Sequence, residues 1–173
     1  MKLLIIGHAQ HGKDTVADIM AAKLGLSATS SSITAINHWI YKNHGERLGF
    51  TSPEDMYKRR GEIRKFLFDE IVAFCSPNLA ALAEVLFEKH DIYVGCRNAD
   101  EVKEIQNKGL VDLIIYVDAS ERKPMESKES CNITKDLADI IIDNNGSLAE
   151  LRFRLASLCH ILNHNNKRNV TTQ

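Results

Sequence analysis

Short runs of consecutive apolar residues divide the chain, and between them apolar positions fall three and four apart. The first run, Leu3–Ile6 ("LLII"), has the pattern of a buried strand. After it Val16, Ile19, Met20 and Leu24 repeat at helical spacing, which predicts a helix over Lys13–Leu24. "LSATSSS" (26–32) predicts a short strand or loop ending in serines. A helical zone follows over about 33–89, punctuated by Pro53 and Pro77. In "TSPEDMYKRR" and "SPNLAALAEVLFEKH" a serine precedes the proline, the pattern of a helix start. "DIYVG" (91–95) predicts a third strand and "NADEVKEIQNKG" a helix closed by Gly109. "LVDLIIYVD" (110–118) and "ADIIIDN" (138–144) predict two more strands, and "SLAELRFRLASLCHIL" a last helix. The stretch "ASERKPMESKESCNITKD" is polar and loop-like. The tail 163–173 ("NHNNKRNVTTQ") offers nothing to pack and is expected to be flexible.

Nearly continuous Ile/Val/Leu strands alternating with helices predict an α/β fold with a parallel sheet covered on both faces. The helix-only stretch at 33–89 reads as an insertion over the C-terminal ends of the strands, where such sheets bind ligands. A single domain over 1–162 accounts for the pattern. The apolar share of 44%, charged share of 26% and net charge of −1 fit an ordinary globular protein. They exclude a global basic field of the kind that drives non-specific nucleic-acid binding. The four cysteines form no Cys-x-x-Cys pair, which argues against a zinc site or disulfide framework and for a reducing cytoplasm. The opening apolar run is too short for a membrane span, so no membrane partner is expected.

Chemistry enters where the first strand meets the first helix. Gly7-His8-Ala9-Gln10-His11-Gly12-Lys13-Asp14-Thr15 has the glycine and lysine spacing of a phosphate-binding loop, in the strand–loop–helix context that the motif requires. Backbone amides of 8–13 can cradle a phosphate, the helix start adds its dipole, and Lys13 adds a point charge. The pattern asks for Ser or Thr directly after the lysine; here that position is Asp14, and Thr15 follows. ATP and Mg²⁺ are the implied cofactors.

"GKDT" after a strand resembles the bacteriophage-type deoxynucleoside monophosphate kinases, within the nucleoside monophosphate kinase superfamily. Adenylate kinases also displace the threonine by one. "IYVGCRNADEV" resembles the family's strand that ends in Arg and leads into a helix, and "NITKDLADIIIDNNGSLAEL" its final segment. The resemblance covers about 1–25 and 90–155. It implies a P-loop kinase with a five-stranded parallel sheet of order 2-3-1-4-5, a helical acceptor-binding insertion between strands 2 and 3, and a short lid at about 119–134. Family members commonly carry a metal-organising acid at the end of the third strand. Gly95 stands there, so Asp14 and Thr15 become the candidate metal residues, with Asp14 also a plain first-turn acid complementing the helix dipole. Asp118 is a weaker alternative that would cap its loop.

Phosphoryl transfer needs converging positive charge more than covalent chemistry. Arg97 ends a strand and should face the crevice. Arg122 begins the segment that resembles the lid. Arg60 and Arg64, four apart, would share a helix face with Tyr57 in the insertion and grip an acceptor phosphate, or else form a solvated face. Ser31 follows the second strand and could bond a base or sugar, although at least one of Ser30, Ser31 and Ser32 should cap a helix. Trp39, the single tryptophan, is expected in a helix core. The candidate catalytic set is Lys13, Asp14, Arg97 and Arg122; the candidate acceptor set is Ser31, Arg60, Arg64 and Arg97.

The function these readings imply is ATP-dependent phosphoryl transfer to a (deoxy)nucleoside monophosphate, in a host cytoplasm if the protein is phage-encoded. A related kinase acting on 5-hydroxymethyluracil within DNA, a DNA-modification activity, keeps the donor site and changes the acceptor. A non-catalytic nucleotide-binding regulator is the reading from another class. The oligomeric state stays open, a homodimer included.

Overall fold

A computed structural model of the chain describes residues 1–170, the side chains of 165–170 aside. Five strands form one sheet of order β2-β3-β1-β4-β5, and every neighbouring pair runs parallel. They are β1 (Leu3–Ile6), β2 (Ala28–Ser30), β3 (Ile92–Val94), β4 (Leu113–Asp118) and β5 (Ile140–Asp143). The parallel sense is the one the apolar runs predict, and the order is the one the family resemblance implies. β1 lies at the centre, with Leu4 opposite Tyr93 on one side and Ile114 on the other. All four residues of β1 are fully buried, as the unbroken "LLII" run requires.

The alternation of side chains along β1 feeds two separate cores. Leu3 and Ile5 face α1 (Lys13–Leu24) through Val16, Ala17 and Met20, and the final helix through Leu151, Leu155 and Cys159. Leu4 and Ile6 face the opposite layer, where Leu82, Leu86, Val102 and Ile105 pack.

The helical zone is divided more finely than its pattern marks. α2 (Ser31–Ala35), a π-helical turn (Ile36–Ile40) and α3 (Tyr41–His44) run on as one rod. α4 (Pro53–Lys58) starts with Pro53 at the first turn and Ser52 as its cap, Oγ accepting from Asp55 N at 3.1 Å. α5 (Arg64–Cys75) begins a new helix, and residues 59–63 between them are turns. A third small core, built on Ile36, Ile40, Phe50, Met56 and Leu67, holds these helices together. α6 (Ala81–Phe87), within the same zone, packs on the sheet itself. Trp39 stacks on Phe74, ring centroids 4.3 Å apart, and packs against the core as its position in the helical pattern suggested.

α7 (Ala99–Asn107) follows β3, capped by Asn98, whose side chain accepts from Asp100 N. α8 (Leu148–Val170) extends beyond the last apolar position of its pattern. Residues 163–170 of the tail expected to be flexible continue α8, and 171–173 lie outside the described residues. Among the described residues, no helix is long and apolar enough to cross a membrane.

Candidate functional site

The loop between β1 and α1 has a tightly constrained backbone. Gln10 adopts φ 62, rare for a residue with a side chain, and Gly12 adopts φ 93. A Cβ at Gly12 would strike the side-chain nitrogen of Asn144. That nitrogen donates to His11 O at 2.8 Å, while Asn144 N donates to Asp118 O at 2.7 Å. Asn144, almost fully buried, thus ties the loop to the ends of β4 and β5. At the start of α1 the first-turn amides have no intrahelical acceptor, and the helix dipole faces the same point.

Lys13 is buried, and its Nζ donates to His8 O at 2.7 Å. Burial first, then the nearby Arg97 guanidinium, hold its pKa below the ordinary lysine value, against the opposite pull of Asp14 and Glu126. Both loop histidines are buried and serve structure. His8 Nδ1 accepts from Glu126 N at 3.0 Å, and His11 Nδ1 accepts from Ala119 N at 3.1 Å. Each ring therefore carries its proton on Nε2, which is buried and without a partner among the described residues. Burial and the neighbouring His11 lower the pKa of His8.

Glu126 occupies the mouth of the loop. Its Oε2 accepts from Ala9 N at 2.7 Å, and its Oε1 accepts from Arg97 Nη1 at 2.7 Å and Arg64 Nη2 at 3.4 Å. The loop, the end of β3 and the helical insertion therefore converge on one carboxylate. Its side chain is 13% exposed, whereas Met125, Ser127, Lys128 and Glu129 around it are exposed. The segment carrying it is pinned at both ends, by His11 to Ala119 and by Asn132, whose N donates to Arg97 O and whose Oδ1 accepts from Ala99 N. His8, Glu126 and Cys131 each bring one possible ligand atom within 4.8 Å of the others. The hydrogen bond that His8 Nδ1 accepts from Glu126 N accounts for this closeness, and we read the trio as a packed corner.

Of the expected site residues, the structure brings Gly7, His8, Ala9, Gln10, His11, Gly12 and Lys13 into one loop, with Arg97 and Arg64 opposite it. Asp14 and Thr15 are exposed in the first turn of α1. Arg60 is not at the convergence point. With α4 ending at Lys58, it does not share a helix face with Arg64; its Nη1 donates to Tyr57 O at 2.9 Å and its guanidinium stacks on the Tyr57 ring at 4.0 Å. Arg122 is exposed and donates its Nε to Asn144 O at 2.6 Å, and it is not among the residues that bond Glu126. Ser30, not Ser31, is the helix cap, accepting from Ile33 N at 3.4 Å.

Gly95 adopts φ 107, and a Cβ there would come within 3.0 Å of Ser31 Oγ. A side-chain carboxylate is thus disfavoured at this place by both backbone and space, and the Ser31 hydroxyl stands next to it. Asp118 serves its turn: Oδ1 accepts from Ser120 N, and Oδ2 pairs with Lys135 at 2.6 Å. Burial opposes its charge, but the bonds from Lys135 and Ser120 prevail and lower its pKa.

Neither Glu126 nor Asn144 was expected from the sequence. Glu126 lies in a polar, loop-like stretch, and its partners Ala9 and Arg97 are 117 and 29 residues away. Asn144 carried one signal, its place in the Asn-x-Gly-Ser-Leu turn that opens the last helix.

No protein-family model and no curated protein matches the chain. Among solved structures, a shikimate kinase from Bacteroides thetaiotaomicron aligns over 94% of this chain and 98% of its own, with a TM-score of 0.51 and 11% identity. A shikimate kinase from Aquifex aeolicus aligns over 95% and 98%, with a TM-score of 0.48 and 15% identity. A sugar kinase from Janibacter aligns over 90% and 92%, with a TM-score of 0.49 and 15% identity. At such identities the likeness is one of fold.

Proposed function

We propose that the chain is an ATP-dependent phosphotransferase whose acceptor is a (deoxy)nucleoside monophosphate. The observation that carries this reading is the joint hold of one anionic group by the phosphate-type loop, through Ala9 N, and by Arg97 and Arg64 from two other elements. A loop amide and two arginines aimed at one point suit a phosphoryl group between donor and acceptor. The fold likeness to a shikimate kinase fits a kinase without specifying the acceptor.

The residues fit the implied cofactors. The loop amides of 8–13 and Lys13 would hold the ATP phosphates, given that Ala9 N already engages a carboxylate. Asp14 and Thr15 offer exposed hard oxygens at the helix start and would hold Mg²⁺ directly or through water. Mg²⁺ would supply charge neutralisation at the phosphates. Arg97 and Arg64 would orient the acceptor's phosphate, whose oxygen needs little deprotonation. Arg122 would join only if the lid segment moved, since it now bonds Asn144 O.

An acceptor screen tests the reading. Protein, Mg²⁺ and labelled ATP are incubated with each deoxynucleoside monophosphate and with hydroxymethyluracil-containing DNA. Label in a nucleoside diphosphate is the expected result. Label retained in polymer would move the acceptor to DNA, and tight ATP binding with no turnover would leave a regulator.

A further inference from the structure

We propose that Glu126 is a built-in occupant of the anion seat, holding the place of a substrate phosphate until a ligand displaces it. The inference rests on the phosphate-site reading of the loop and adds a regulation to it. The donors around the Glu126 carboxylate are those expected to bind phosphate: a loop amide and two guanidinium groups, drawn from three separate elements. A fourth contact, Glu126 N to His8 Nδ1, fastens the main chain at the same place.

Charge favours displacement. Arg97, Arg64 and Lys13 bring three cations to a seat in which Glu126 provides one negative charge. A polyphosphate brings several, so it competes well for the same donors. The expelled carboxylate returns to water at small cost, because its immediate neighbours in the chain are already exposed. Loss of the carboxylate contacts leaves the middle of segment 119–134 held by Glu126 N to His8 and by Arg122 to Asn144, so ligand entry loosens the segment there without detaching its ends.

The test uses the full chain, wild type beside Glu126→Gln and Glu126→Ala, with inorganic tripolyphosphate as probe in calorimetry and amide exchange measured without ligand. Both variants should bind tripolyphosphate more tightly than wild type, by about tenfold if the latch is closed ten times as often as it is open. In the free protein, Ala9 N and the 119–134 backbone should exchange faster in Glu126→Ala. Equal affinity in all three proteins would overturn the proposal while leaving the phosphate reading intact. Weaker binding in both variants would also overturn it, making Glu126 a group that holds the ligand. No tripolyphosphate or ATP binding by any of the three would remove the phosphate reading and the occupant with it, even if exchange at Ala9 rose.

Discussion

Lys13 turns its ammonium group back onto its own loop, Nζ donating to the carbonyl oxygen of His8 at 2.7 Å. In phosphoryl transfer the same group would have to leave that carbonyl for a phosphate oxygen. Lys13→Met keeps an apolar stem in the buried space and removes the charge. Turnover should fall by the equivalent of roughly 3–4 kcal/mol, the scale of a lost oxyanion donor. The melting temperature should stay near wild type. A variant keeping more than about a tenth of the wild-type rate would sink the role, since that loss is only ~1.4 kcal/mol.

Gly95 leaves no place for an acid at the end of β3, so the metal acid is sought at Asp14. Asp14 is exposed in the first turn of α1, and Asp14→Asn preserves size while removing charge. The Mg²⁺ concentration for half-maximal rate should rise clearly, with little change in thermal stability. A drop in melting with an unmoved Mg²⁺ dependence would make Asp14 a partner of the helix dipole alone.

Arg97 stands across the loop mouth from Ala9, linked to it through Glu126. Arg97→Lys keeps the charge but loses the planar fork. Acceptor KM should rise or turnover fall by the equivalent of about 1.5–3 kcal/mol, with ATP affinity nearly unchanged. Steady-state kinetics with each substrate varied in turn separates the two cases. Loss of ATP affinity with normal acceptor saturation would assign Arg97 to the donor.

His8 should make the fold acid-sensitive. Its pKa lies below the ordinary 6.5 because burial disfavours the charged ring, and His11 adds to this. Above 6.5 both folded and unfolded chains hold the ring neutral, and the stabilising contribution is fully present. As pH falls through 6.5 the unfolded chain takes up the proton first, so stability falls until the folded pKa is reached. Urea unfolding at pH 7.5 and 5.5 should show a steeper loss for wild type than for His8→Asn. Equal losses would remove His8 from the acid response.

The sheet was largely legible because β1, β3, β4 and β5 are apolar runs rich in Ile, Val and Leu and the glycine–lysine spacing fixed where β1 hands over to α1, whereas β2, Ala28–Ser30, has no such run and read equally as a loop. Pro53 and Ser52 marked the start of α4 correctly. The break at 59–63 was not marked, since its charged residues suit a helix as well as a turn, and Arg60 and Arg64 were read onto one face in consequence. The caps at Ser30 and Asn98 are local bonds, and the serine cluster announced the first of them. Glu126 and Asn144 act through bonds spanning 117 and 133 residues, and only the folded chain brings their partners together.

All four cysteines are free and buried, Cys75, Cys96 and Cys131 in the core on one side of the sheet and Cys159 in the core on the other. Cys131 is a buried residue of the segment that carries Glu126, with its thiol pKa pushed up by burial, whereas Cys159 faces the sheet from α8. A thiol reagent can reach either one only after the cover over it lifts. The chain is in this sense self-reporting. Alkylation at residue 131 counts openings of the 119–134 segment, alkylation at 159 counts openings of the far layer, and their ratio in one time course distinguishes local breathing at the candidate site from a molecule coming apart.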